Sequence, residues 1–196
     1  MASFNYSLSE KIYNACCLLI TKIFYRSSRL IRCPITVRGK QYINFGKSLT
    51  TGRGCQLEVA NNHDEPCLLF GDNVNIGHYV RIQCIDRIRI GSNVLMGSRV
   101  TIIDHSHGLY KETECDAPSI PPNSRQLVSS PIEIGNNVWI GEGAIIQQGV
   151  TIGDGSIIGA NSVVVHNIPA GCMVGGIPAR IVKRYDEVSK KWVRTE

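Results

Sequence analysis

A six-residue rhythm runs from Ile134 to Pro169 without a slip, and few folds can accommodate it. Aliphatic residues recur at Ile134, Ile140, Ile146, Ile152, Ile158 and Val164, and Gly135, Gly141, Gly153 and Gly159 directly follow four of them. Small or β-branched residues stand four places after each aliphatic one, at Val138, Ala144, Val150, Ser156, Ser162 and Ile168. A period of six belongs neither to a helix nor to a simple amphipathic strand. It suits a β-solenoid, in which each hexad supplies one short strand and one corner and sends one aliphatic side chain into the core.

The same phase continues upstream at Phe70, Ile76 and Ile82, then Ile90, Met96 and Ile102, with fainter copies at Phe45, Thr51 and Leu57. Two interruptions separate these blocks. Residues 60–68 are short and polar; residues 108–131 form a longer excursion carrying Pro118, Pro121, Pro122 and Pro131. An irregular segment of that length inside a regular coil is usually functional or disordered. With three hexads to a coil, the repeats predict roughly five coils and a prism about 25 Å tall.

The 196 residues are enough for one well-buried domain, and a continuous repeat argues against two. The expected division is a helical segment over 1–34, the solenoid over 35–183 with its excursion at 108–131, and a carboxy-terminal tail over 184–196. The formal charge of +5 is modest, and basic residues gather near both ends. That pattern suits a phosphate-bearing ligand or an anionic surface and not a nucleic-acid groove. The eight cysteines are irregularly spaced, with no CxxC pair and no cleavable leader before them. Reduced thiols in a cytoplasmic protein are expected, several of them, such as Cys55 and Cys84, acting as small apolar fillers.

From Ser9 to Cys33 there is neither glycine nor proline, so a helix capped by Ser7 or Ser9 and stopped at Pro34 is expected. On such a helix Lys11, Lys22, Arg26, Arg29 and Arg32 share one arc, opposite Ile12, Cys16, Leu19, Ile20, Ile23, Phe24, Leu30 and Ile31. Two roles fit: capping the open end of the solenoid, or lying on anionic lipid. A membrane span does not fit, because Lys22 and Arg26 interrupt a run that is already too short.

The run 136–141 (NNVWIG), then 149–154 (GVTIGD), 158–160 (IGA) and 176–180 (GIPAR), resembles the hexapeptide-repeat acetyltransferases, notably the galactoside, maltose and surface-polysaccharide O-acetyltransferases. The match is strong from Ile90 to Lys183 and weak before about Phe70. The resemblance implies a left-handed parallel β-helix assembled as a homotrimer, with acetyl-CoA as cosubstrate lying between neighbouring subunits and no metal. It places the catalytic histidine in the segment 100–108, at His107, with His105 two residues earlier. It also implies an oxyanion donor at a backbone N–H next to Gly141, that of Glu142. Acetyl-CoA contacts are implied at Gly141, at Ala160 for the pantetheine, and at Arg180 and Lys183 for the nucleotide phosphates.

The chemistry explains a histidine there. A sugar hydroxyl becomes a useful nucleophile only when a base removes its proton, and imidazole suits that task near neutrality. The thioester is already activated, so the remaining need is a donor for the tetrahedral oxyanion. Asp104, His105 or Glu142 are candidates for orienting the imidazole. Trp139 falls one hexad beyond His107 if the excursion uses no face, which makes its indole a candidate platform for a sugar ring or the cofactor arm.

The acceptor side departs from the resemblance. Gly77, flanked by Asn75 and His78, stands where galactoside and maltose enzymes carry a supporting asparagine, and the loop after His107 is longer. Val165 and His166 replace a polar and basic pair at the adenine end. The long loop and basic helix suit a lipid-linked glycan at the inner face of the membrane, with substrate contacts expected from Trp139, His78, Asp104 and His105. Competing readings are a small-sugar O-acetyltransferase, an amino-sugar N-acetyltransferase, a zinc enzyme of the γ-carbonic-anhydrase kind using His78, His105 and His107, and a non-catalytic scaffold.

Overall fold

The computed structural model describes residues 5–60, 63–111 and 113–195; residues 1–4 of the amino-terminal segment, 61–62 and 112 in the two interruptions, and 196 lie outside the description. The hexads build three faces of a prism. The first face stacks strands Thr50–Thr51, Asn75–Ile76, Leu95–Met96, Trp139–Ile140, Ile157–Ile158 and Cys172–Gly176 in parallel. The second stacks six strands from Ile35–Arg38 to Val163–Val164, and the third runs from Ile43–Asn44 to Thr151–Ile152, extended by a bridge from Ile152 to Ile168. Six coils thus replace the five expected. The additional one begins at Ile35, where Val37 and Ile43 serve the core without the glycine that marks later hexads.

Register explains the core. Leu57, Ile82, Ile102 and Ile146 lie directly over one another on the second face, and all are fully buried. The residues four places on, Val138, Ala144, Val150, Ser156, Ser162 and Ile168, are buried too. Corners approach so closely that a Cβ on Gly91 would stand 2.6 Å from Gly135 backbone atoms. After the corner glycine the chain turns through a left-handed residue, supplied by Asn73, Asn93, Asn137 and Asn161. Tyr79 (φ 57°) and Arg99 (φ 58°) are bulky exceptions. Strain of this kind collects at functional sites, and both lie on the edge between the first and second faces.

The amino-terminal helix is shorter than the sequence suggests. It spans Leu8–Phe24, starting at a Ser7–Glu10 capping box, and ends where the Tyr25 N–H donates to the Thr21 carbonyl. Residues after it leave the helix to pair with the solenoid: the Arg29 and Leu30 amides donate to the Leu49 carbonyl, and Ile31 is buried in the core. Arg29 then donates to Thr50 and Asn75, and Arg32 to Asn14 and the Thr51 carbonyl. The expected single basic arc is therefore divided, because burial of Ile31 outweighs continuation of the helix. The face turned to the solenoid is Cys17 and Thr21, with Tyr13 and Asn14 at its margin. Thr21 accepts from the Ile31 N–H at 2.8 Å.

At the other end, residues 184–194 are an ordered hairpin: Ala179–Asp186 pairs antiparallel with Cys172–Gly176 and with Lys191–Arg194. All eight cysteines are free, and the Cys67 and Cys84 sulfurs lie 3.6 Å apart within the core. No helix among the described residues is long and apolar enough to cross a membrane.

Candidate active site

Along the edge between the third and first faces, each corner amide donates to a side chain of the next coil: Lys47 to Asp72, Asp72 to Ser92, Ser92 to Asn136 and Asn136 to Asp154. The edge between the first and second faces starts the same way, with the Arg53 amide donating to His78 Nδ1 and the His78 amide to Ser98. There the ladder breaks. The Glu142 carboxylate turns outward to Arg99 at 2.7 Å, and Ala160 in the coil beyond has no acceptor to offer. Among the described residues the Ser98 and Ala160 N–H groups have no hydrogen-bond partner, and neither has that of Glu142. This N–H is the one expected to meet the oxyanion.

It opens into an apolar groove of about 660 Å³ lined by Trp139, Gly141, Glu142, Ala160, Met173 and Val182, among others. Trp139 is half exposed, stacked in register between Leu95 and Ile157. Arg180 and Lys183 are three apart, a spacing that puts side chains on opposite faces of a regular strand. The pairing skips Val182: Met173 faces Lys183, whereas Val174 faces Ile181. Such a bulge reverses the alternation, so Arg180, Val182 and Lys183 share the outer side with Met173. Met173 and Val182 carry no signal in the hexad pattern; only the register reveals them.

The histidines stand on another edge, between the second and third faces. Where Ile82 to Ile88 takes one hexad, the step from Ile102 to Ile132 carries the whole excursion. The chain leaves the prism at His105, earlier than the expected 108, because His105–His107 pairs antiparallel with Leu127–Ser129. Alternation puts His105 and His107 on one side of this ribbon and Ser106 on the other, where it accepts from Gln148. Buried Asp104 accepts from the Ile85 and Asp86 amides and holds His105 Nδ1 at 3.0 Å. His105 is nearly buried; His107 is exposed, and its carbonyl accepts from Tyr110, which Arg125 holds in turn. Within the chain neither Asp104 nor Glu142 orients His107: the first serves His105, the second pairs with Arg99 on a different edge. Trp139 and His107 do not meet within one chain: Trp139 lies on the first face, and the ribbon carries His107 off the edge between the second and third faces.

His78 belongs to neither group. It lines a polar pocket of about 460 Å³ with Tyr6, Glu10, Asn14, Arg32, Arg53 and Tyr79, on the groove edge but toward the amino-terminal helix. Arg53 lies 3.8 Å over the Tyr13 ring. Tyr79 is an aromatic residue at a corner position that asparagine fills elsewhere. Gly77 could not carry a side chain without moving the next coil, since its Cβ would stand 2.6 Å from Gly97. Asn75 accepts from Arg29 instead. Within one chain the trio His78, His105 and His107 is thus divided between edges, and no three His, Cys, Asp or Glu side chains of its described residues are grouped to hold a metal.

Residues 131–166 match the model of the bacterial transferase hexapeptide (six repeats). The chain is 40% identical over 176 residues to the "putative lipopolysaccharide biosynthesis O-acetyl transferase WbbJ" of Escherichia coli (strain K12), covering 89% of this chain and 88% of that protein. It is 34% identical over 129 residues to the galactoside O-acetyltransferase of the same strain, covering 63% and 60%. Among solved structures, a point mutant of AntD, an N-acyltransferase from Bacillus cereus in complex with dTDP-4-amino-4,6-dideoxyglucose and coenzyme A, superposes with a TM-score of 0.69 at 21% identity over 96% of this chain and 94% of that one. VCA0836 of Vibrio cholerae O1 biovar eltor, a hexapeptide-repeat acetyltransferase complexed with acetyl-CoA, superposes with a TM-score of 0.53 at 25% identity over 93% and 81%. The solenoid is the left-handed parallel β-helix, and the chain belongs to the hexapeptide-repeat acetyltransferase family.

Proposed function

We propose that the protein transfers the acetyl group of acetyl-CoA to a sugar hydroxyl during synthesis of a bacterial surface polysaccharide. The observation that carries this is the broken corner ladder. A backbone N–H left free inside an apolar groove is a preorganised donor, and such a donor is worth most where water is excluded. The groove's apolar lining suits the pantetheine arm, with Ala160 against the arm and Arg180 and Lys183 near the phosphates. Likeness to the WbbJ and galactoside proteins supports an oxygen acceptor, and likeness to VCA0836 supports acetyl-CoA.

The groove and His107 occupy different edges of one chain, about one face apart. A second copy can place its histidine ribbon against the first copy's groove, and repeating that contact closes a ring, here a homotrimer. In that site His107 takes the hydroxyl proton as the oxygen attacks the thioester carbon, the Glu142 N–H receives the oxyanion, and coenzyme A leaves as the thiol. Asp104 is buried and serves by holding His105, so of that pair only the His105 ring faces the acceptor. The polar pocket at His78 receives more distant parts of the glycan.

The test is acetyl transfer to lipid-linked glycans from a strain lacking this chain, followed by coenzyme A release and by mass. His107→Ala should lose on the order of 10²- to 10⁴-fold in kcat. Near-normal turnover removes it as the base, and a matching loss in His105→Ala moves the role to the Asp-held imidazole. An alkali-stable product overturns the ester reading in favour of an amide.

A further inference from the structure

The amino-terminal helix is turned the unexpected way. An end cap should bury its apolar face, yet Leu8 is 74% exposed, Ile12 57%, Leu19 66% and Ile23 63%. The face against the solenoid is held by polar groups instead, through Thr21, Asn14 and Tyr13. At 100° per residue, Ala15, Leu8, Leu19, Ile12, Ile23, Cys16 and Ile20 share an outward arc of roughly 140°, with Ser9 its one polar member. Lys11 and Lys22 border that arc, both exposed, and exposed Arg26 follows the helix. Its only carboxylate, Glu10, is occupied by the Ser7 amide and hydroxyl in the capping box. At the far end Lys40 donates to the Phe24 carbonyl, adding positive charge there.

We propose that this outer face docks the protein onto a membrane surface containing anionic lipid, the helix lying flat with its aliphatic stripe among the acyl chains and its lysines at the headgroups. Three features favour a bilayer over a second protein chain. The stripe faces away from the solenoid beside its first coils, whereas the groove is lined by residues of later coils. Its charged border is of one sign, which complements anionic headgroups and opposes an identical helix. At seventeen residues the helix is too short to span but is suited to lie at the interface. The consequence is positional. Glu10 and Asn14, on the inner side of this helix, line the polar pocket at His78. A docked helix therefore holds that pocket against the headgroups, where a glycan carried on lipid would present itself. That last step rests on the proposed function; membrane docking does not.

The experiment is flotation of the full chain with vesicles of phosphatidylcholine alone or with phosphatidylglycerol added, beside sizing of the assembly. The wild type should float with the mixed vesicles and release as salt is raised. Leu19→Glu/Ile23→Glu should weaken partitioning more than tenfold, since each buried aliphatic contributes about that much. Lys11→Glu/Lys22→Glu should also weaken it more than tenfold, at roughly fivefold for each lysine lost. Both variants alter exposed positions and should keep the assembly and acetyl transfer to a water-soluble acceptor. Failure of the wild type to float, or equal flotation with phosphatidylcholine alone, overturns the proposal. A smaller assembly in Leu19→Glu/Ile23→Glu also overturns it, by assigning the face to a second copy. Flotation without acetyl transfer leaves docking standing and removes only the proposed reaction.

Discussion

A Cβ placed on Gly97 would lie 2.6 Å from the Glu142 amide nitrogen and 2.8 Å from its Cα. Ordinary contact begins near 3.4 Å, so the Glu142 backbone must retreat by roughly 0.8 Å. Gly97 does not have positive φ, so alanine there suffers from crowding and not from backbone strain. Overpacking of this kind costs about 1–3 kcal/mol of stability. Misplacing one oxyanion donor by that distance costs on the order of 10²-fold in kcat. Gly91→Ala is the matched control, because its Cβ meets Gly135 at the same 2.6 Å on the edge away from the groove. Thermal melts should show similar losses for both variants. Coenzyme A release, followed with a thiol reagent, should fall about a hundredfold only in Gly97→Ala. If Gly97→Ala keeps kcat within about threefold of wild type while losing stability like Gly91→Ala, the Glu142 N–H is not the donor.

Two further outcomes follow from the same geometry. His107→Ala and Ala160→Glu chains should each be nearly inactive alone, yet mixed and reassembled in equal amounts they should recover roughly a quarter of wild-type activity, since a site needs one intact half from each neighbour; no recovery would put both halves in one chain. Exposed Cys16 and Cys115 should react quickly with a thiol reagent in the native protein, while Cys55, Cys67 and Cys84 should resist, because burial raises their thiol pKa values above the ordinary 9.0. In the unfolded chain these thiols ionise near 9.0, so the stability they contribute is present below that pH and declines above it, which melts between about pH 8 and 10 would check.

Much of this was legible in the residues. The aliphatic positions and the small residues four places on are buried as their spacing demands. The rest depended on contacts distant in sequence. The helix stops at Phe24 because Ile31 gains a place in the core, and no local signal between Ser9 and Cys33 reports that gain. Arg180 and Lys183 reach one side only through a bulge at Val182, which is a property of pairing with Met173 and Val174. Asp104 serves His105 because the Ile85 and Asp86 amides, one coil away, fix its carboxylate.

A repeat of six with one aliphatic per hexad leaves a chain little choice but to coil, since inward and outward alternation is settled within a few residues. That much the amino-acid order decided by itself. Which edge each functional group occupies was decided by the tertiary structure, because the edge depends on where the chain leaves the coil and which partners it finds there. His105 pairs with Ser129 and so carries His107 off the prism at the edge between the second and third faces. The helix likewise turned Thr21 inward and its aliphatic face outward, because the polar side matched the unpaired backbone at Ile31.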